Sequence, residues 1–144
     1  MTTIAEFAGG EEAFRRLAEI QYGRCLEDPV LQEIFGTEGR PDHVEHLAAW
    51  LYEVFGGDER YTREFGGHVG MVRHHVARGI EERHRARFVE VTMGALDEAG
   101  MPGDERFRRR FREYLDWGSR IALEYQDPAK PLPHGEPVPH WGWE

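Results

Sequence analysis

The chain has a single cysteine, Cys25, in 144 residues. A lone thiol excludes a disulfide framework, a cysteine-rich zinc site and a Cys-x-x-Cys-His segment for thioether attachment of a prosthetic group. Positive charge is also scarce: 18 Lys and Arg stand against 27 Asp and Glu, a net charge of −9. That balance disfavours nucleic acid or an anionic membrane as main partner, since both attract a basic face. No apolar run approaches the ~20 residues that a membrane span requires. The opening MTTIAEFAGGEEAF lacks the basic start and apolar core of a signal peptide, so a cytoplasmic protein is expected. Strand-like alternation, internal repeats and a His-Glu-x-x-His motif are all missing.

What is present is helical. With 40% hydrophobic and 12% aromatic residues, one domain can bury a real core. A short segment over about residues 3–8 ends at Gly9-Gly10. From residue 11 to about 27, Phe14, Leu17, Ala18, Gln21/Tyr22 and Cys25 recur at threes and fours. Asp28-Pro29 reads as an N-cap followed by proline at the first helical position, opening a short helix to Phe35. Residues 42–55 carry Val44, Leu47, Ala48, Leu51, Val54 and Phe55 on one stripe, stopped by Gly56-Gly57. A short helix is expected from 67 to about 77, and a longer one over about 81–99 with Phe88, Val91, Ala95 and Leu96 inward. The last, over about 104–125, aligns Phe107, Phe111, Tyr114, Leu115, Gly118, Ile121, Ala122 and Tyr125. The expected organisation is a helical domain over 1–126 and an irregular tail over 127–144, with five prolines in eighteen residues. A regular four-helix bundle prefers long helices and short loops. Unequal helices with glycine breaks suggest packing around something other than their own side chains.

Three of the eight histidines fall in FGGHVGMVRHHVARGI, residues 65–80. On a helix, His68, Met71, Val72 and His75 share a face, while His74 lies about 100° away. His43, Leu47, Trp50 and Val54 share a face of the preceding long helix. The two faces could sandwich a flat ligand. A di-iron bundle would need carboxylates at helical spacing from the histidines, and none stands four residues on from His43, His46, His68, His74, His75 or His84. The residues alone therefore give an all-α chain with either a histidine-ligated cofactor in an apolar slot or simply buried, hydrogen-bonded histidines.

Four stretches, in order, carry a family resemblance: QYGRCLEDPVLQEIF, FGGDERY, GGHVGMVRHH and GALDEAGMPGDERF. Together they resemble the truncated haemoglobins, specifically their second group, from about residue 5 to 125. The resemblance implies a two-on-two helical sandwich around haem b. It makes His75, not His74, the proximal iron ligand, and leaves His68 a non-ligand. It places Tyr22 as the distal tyrosine, whose hydroxyl can donate to a bound gas, and Phe35 as the aromatic wedged against the ring. Leu47 and Trp50 would line the distal wall, Met71 the proximal side, and His46 would lie near a haem propionate.

Two positions depart from the group. Phe88 stands where tryptophan is typical and has no N–H to donate. His43 stands where a small residue is usual. It offers either a replacement donor or a sixth ligand to the iron. The implied function is binding of O2, CO or NO for sensing, storage or delivery. The alternative is a redox enzyme, a nitric oxide dioxygenase or peroxidase, supplied by an external reductase. The chain is expected to be a monomer or homodimer. HWGW near the C-terminus either folds back, joins two subunits or frays.

Overall fold

The computed structural model describes residues 2–144. Among them every regular element is an α-helix. A short α1 (Ile4–Phe7) begins where the Thr3 hydroxyl accepts the Glu6 N–H at 3.1 Å. Helix α2 (Glu11–Glu27) has Glu11 and Glu12 in its first turn and Arg24 in its last, each suited to the helix dipole. Its buried face holds Phe14, Leu17, Ala18, Gln21, Tyr22 and Cys25. That face packs on α4 (His43–Val54) and on α7 (Glu82–Glu98), which in turn packs on α8 (Glu105–Glu124). The two pairs, α2 with α4 and α7 with α8, form the sandwich. Its centre is aromatic: Phe55 stacks on Phe111 at 4.8 Å and lies edge-on to Tyr114 at 5.5 Å. Burying such rings contributes about 1.5–3 kcal/mol apiece.

Three local expectations are corrected. The helix announced by Asp28-Pro29 is delayed. The Asp28 carboxylate accepts the N–H groups of Val30 at 3.0 Å and Leu31 at 3.2 Å, closing a turn, and α3 covers only Gln32–Phe35. A five-residue helix, α5 (Arg60–Glu64), fills the stretch between Gly57 and Gly67, where the sequence pattern predicts no helix. It is held by Glu53 of α4, whose buried carboxylate accepts the Thr62 N–H at 3.0 Å and the Thr62 hydroxyl. Helix α6 (Gly67–His75) stops two residues early, because Val76 is extended and Ala77 turns to φ 57°.

The tail folds back over the helices. The Trp141 N–H donates to Val54 O at 2.7 Å, and the Trp143 indole donates to Thr2 O at 2.9 Å. Arg110 and Arg106 of α8 lie over the Trp141 and Trp143 rings at 4.4 and 5.3 Å. No helix among the described residues is long and apolar enough to cross a membrane.

Candidate functional site

Helices α2, α4, α6, α7 and α8 enclose a cavity of about 240 Å³. All nine residues singled out from the sequence line it: Tyr22, Phe35, His43, His46, Leu47, Trp50, Met71, His75 and Phe88. Residues 53 positions apart in the chain, Tyr22 and His75, thus share one chamber: α2 packs on α4 and α7, and α6 on α5 and α8. Most of the wall is apolar, as expected of a small-molecule site.

Five histidines line the cavity, and their surroundings separate them. The rings of His84 are committed on both nitrogens: Nδ1 accepts the Glu81 N–H at 2.9 Å, and Nε2 lies 3.0 Å from Glu33 Oε1. His46 and His74 sit at the rim, 5.7 Å apart, with His74 exposed. His75 differs. Its Nδ1 donates to Met71 O, one turn back, at 2.7 Å. That bond fixes the tautomer, leaving Nε2 as a bare lone pair on the cavity side, without a partner among the described residues. Burial is the main force pushing the His75 pKa down, partly opposed by the Met71 carbonyl. A neutral imidazole with a free nitrogen and a second nitrogen held by a carbonyl is the form a metal ligand takes.

His43 is held by rings. It stacks on Tyr22 at 4.0 Å with a 22° interplanar angle and meets Phe35 edge-on at 5.5 Å. Burial first, then the charge of Arg40 and the neighbouring His75 and His46, push its pKa down to about 4. It is therefore neutral near pH 7 and carries one N–H. The Tyr22 oxygen accepts the Arg40 N–H at 2.9 Å, and its own hydrogen has no acceptor among the described residues. Phe88 lines the α7 wall and brings no donor.

Three further residues of the expected inward stripes, His68, Gln21 and Cys25, fall outside the cavity lining. His68 is buried, with Nε2 3.4 Å from Glu136 of the tail and Nδ1 unpartnered. Gln21 is fully buried; its amide donates to Thr92 Oγ1 at 3.1 Å. Cys25 lies in the core beside Tyr22 and Leu31, and burial pushes its thiol pKa up to about 12.

Several residues of the site escape sequence reasoning. Arg40 acts through its main chain, which no side-chain pattern reveals. Arg85 is a buried cation in the wall, bonded to Glu82 at 2.5 Å and to Asp116 and Ser119 at 3.3 Å. Tyr114 was legible as core, but its hydroxyl also accepts the Trp50 indole N–H at 2.6 Å, tying α4 to α8 across the cavity. Gln126 clamps the turn after His75. Like Arg40 it acts on the main chain, through His75 O and the N–H groups of Arg78 and Ile80.

The family model for bacterial-like globins matches residues 3–115. The chain belongs to the bacterial-like globins. Haem and diatomic-gas binding go with that family. Solved structures agree. The haemoglobin of Chloroflexus aurantiacus is 33% identical, covers 85% of this chain and 98% of its own, and superposes with a TM-score of 0.72. The haemoglobin of Thermobifida fusca is 28% identical over 85% of this chain and 97% of its own, also at 0.72. The group II truncated haemoglobin of Bacillus anthracis shares the fold at 0.75, with 23% identity over 85% of this chain and 91% of its own. Comparison with curated proteins yields no match. This globin's cavity fits the group its family carries: apolar walls for a flat ring, and one imidazole nitrogen free to bind a metal.

Proposed function

We propose that this globin is a group II truncated haemoglobin that reversibly binds O2, CO or NO at a haem b held by His75. The observation that carries the reading is the state of that imidazole. Its Nδ1 is spent on Met71 O at 2.7 Å and its Nε2 is left for the cavity. His75 would hold the haem through Nε2, and the bound haem would supply an iron able to take up a diatomic gas. Non-covalent haem b is favoured because the one thiol is buried away from the cavity lining.

The residues facing His75 support a gas pocket. The Arg40 N–H occupies a lone pair of the Tyr22 oxygen, so the phenol hydrogen is free to donate to a ligand. Tyr22 is the principal donor. The neutral His43 ring, flat against the phenol, is a second donor in place of the indole that Phe88 lacks. The stacking favours this donor role over ligation of the iron, which would pull the imidazole off the phenol. His46 and Arg40 at the rim suit the haem propionates.

The absorption spectrum of the purified protein tests the reading. A haem spectrum that shifts on adding CO to the reduced protein is expected, with the axial signature lost in His75→Ala. A colourless protein, or a His75→Ala variant with the wild-type spectrum, overturns it. A six-coordinate ferrous spectrum without gas would overturn the donor role of His43 in favour of ligation.

A further inference from the structure

The turn after His75 carries the least regular backbone around the cavity. Val76 is extended, Ala77 has φ 57° and Gly79 has φ 75°. Alanine in the left-handed region is uncommon and persists only where its surroundings hold it. Because α6 ends at His75, the carbonyls of its last turn have no donors within the helix. The amides beyond it lack helical acceptors too.

One side chain serves both sets. Gln126 lies two residues beyond α8. Its Nε2 donates to His75 O at 2.6 Å and to Ala122 O at 2.8 Å. Its Oε1 accepts the N–H groups of Arg78 at 3.1 Å and Ile80 at 3.0 Å. Its main-chain carbonyl accepts the Ala77 N–H at 3.1 Å. Both amide hydrogens and both oxygen lone pairs are used. The partners also fix the amide's orientation: reversed, it would set oxygen against two carbonyls and nitrogen against two N–H groups.

We infer that Gln126 is the positioning residue of the proximal histidine. It locks the His75 carbonyl and the turn behind it, so that the imidazole, already held at Nδ1 by Met71, presents Nε2 in one direction. The inference rests on the reading of His75 as the iron ligand. No shorter or differently charged side chain reproduces the set. Asparagine falls short by a methylene. Glutamate keeps the acceptors but sets a second oxygen against the His75 and Ala122 carbonyls. Methionine keeps the volume and loses every polar contact.

Gln126→Met and Gln126→Glu in the haem-loaded protein test this, read by the iron–histidine stretching band of the reduced form and by haem transfer to an acceptor apoprotein. Gln126→Met should displace or broaden the band and speed haem loss about tenfold, the lower end of what outer partners of metal ligands contribute. Gln126→Glu should fall between it and the wild type. Arg108→Ala controls for stability alone. It removes bonds to Pro102 O, Asp97 and Met101 O at the α7–α8 turn, away from the cavity, and should leave the band in place. If Gln126→Met does not fold, Gln126→Glu carries the test. A wild-type band that neither Gln126 variant moves overturns the inference alone, as does an equal displacement by Arg108→Ala. A wild type without an iron–histidine band refutes the ligand reading beneath it.

Discussion

The two faces of the cavity are held by different kinds of interaction. On the proximal face, His75 is fixed by directed bonds to the main chain, Nδ1 to Met71 O and its own carbonyl to Gln126. On the distal face, Tyr22, His43 and Phe35 rest on one another as rings, 4.0 to 6.1 Å between centroids. A single hydrogen bond, from the Arg40 N–H, anchors them. Hydrogen bonds weaken steeply with angle, whereas ring contacts are broad minima. On the proposed reading, the difference lets one cavity hold a metal centre by directed bonds while the rings opposite keep freedom to adjust.

The comparison breaks most completely on the proximal side. His75→Gly should weaken haem binding more than about a hundredfold, beyond the usual loss of an outer partner. Added imidazole should restore a liganded spectrum, because the cavity keeps the shape of the lost ring. A haem titration with and without imidazole measures both. Unaltered affinity would mean that another group holds the iron.

On the distal side the expected loss is smaller. Tyr22→Phe removes the phenol hydrogen but keeps the ring against His43. A hydrogen bond to a charged or strongly polarised acceptor is worth roughly 1.5–3 kcal/mol, so oxygen dissociation should speed about ten- to hundredfold. Stopped-flow displacement of oxygen by CO gives the number. CO dissociation, where less charge develops on the ligand, should change less.

Acid probes both faces at once. In the haem-free chain, His43, His68 and His75 have pKa values pushed down, chiefly by burial, His43 to about 4. The folded chain thus binds fewer protons than the unfolded one below the ordinary histidine value near 6.5. Stability is fully present above pH 6.5 and is lost as pH falls toward 4. His43 alone should account for about 3 kcal/mol of that loss. Thermal unfolding from pH 7.5 to 4 should show it, and His43→Phe should shallow the slope. Stability independent of pH over that range would contradict the buried, neutral histidines.

How much of this could be read from the chain depends on the range of the forces involved. The long helices were legible because each is fixed by its own apolar period and end signals. Glu11–Glu27 matches the expected bounds to the residue. Helix α5 was not, because Glu53, nine residues before Thr62, holds it in place. The delay of α3 turns on the Asp28 side chain capturing two amides, which competes with helix initiation at the same residues. Within the site, the nine candidates converge because they lie on inward stripes or at motif positions. Spacing put His75 on the shared face and His74 about 100° away, the resemblance made His75 the ligand, and the ring environments now differ in a way that sequence cannot display. Arg40 and Gln126 act on the main chain, so their contributions depend on a backbone course that only the folded chain defines.

The smallest predicted effect discriminates most finely between rigid and adjustable faces. His43→Phe keeps an aromatic ring on Tyr22 and against Phe35 while deleting the one N–H of the neutral imidazole. If His43 is a second donor, oxygen dissociation should rise only about threefold, since an ordinary hydrogen bond contributes about 0.5–1.5 kcal/mol net. Combined with Tyr22→Phe, the effects should not add. The two rings touch at 4.0 Å, and each tunes where the other's hydrogen points. Additive effects would make the donors independent, and no effect at all would leave His43 as packing. The second result would place the adjustability of the distal face in Tyr22 alone, hinged on the Arg40 N–H.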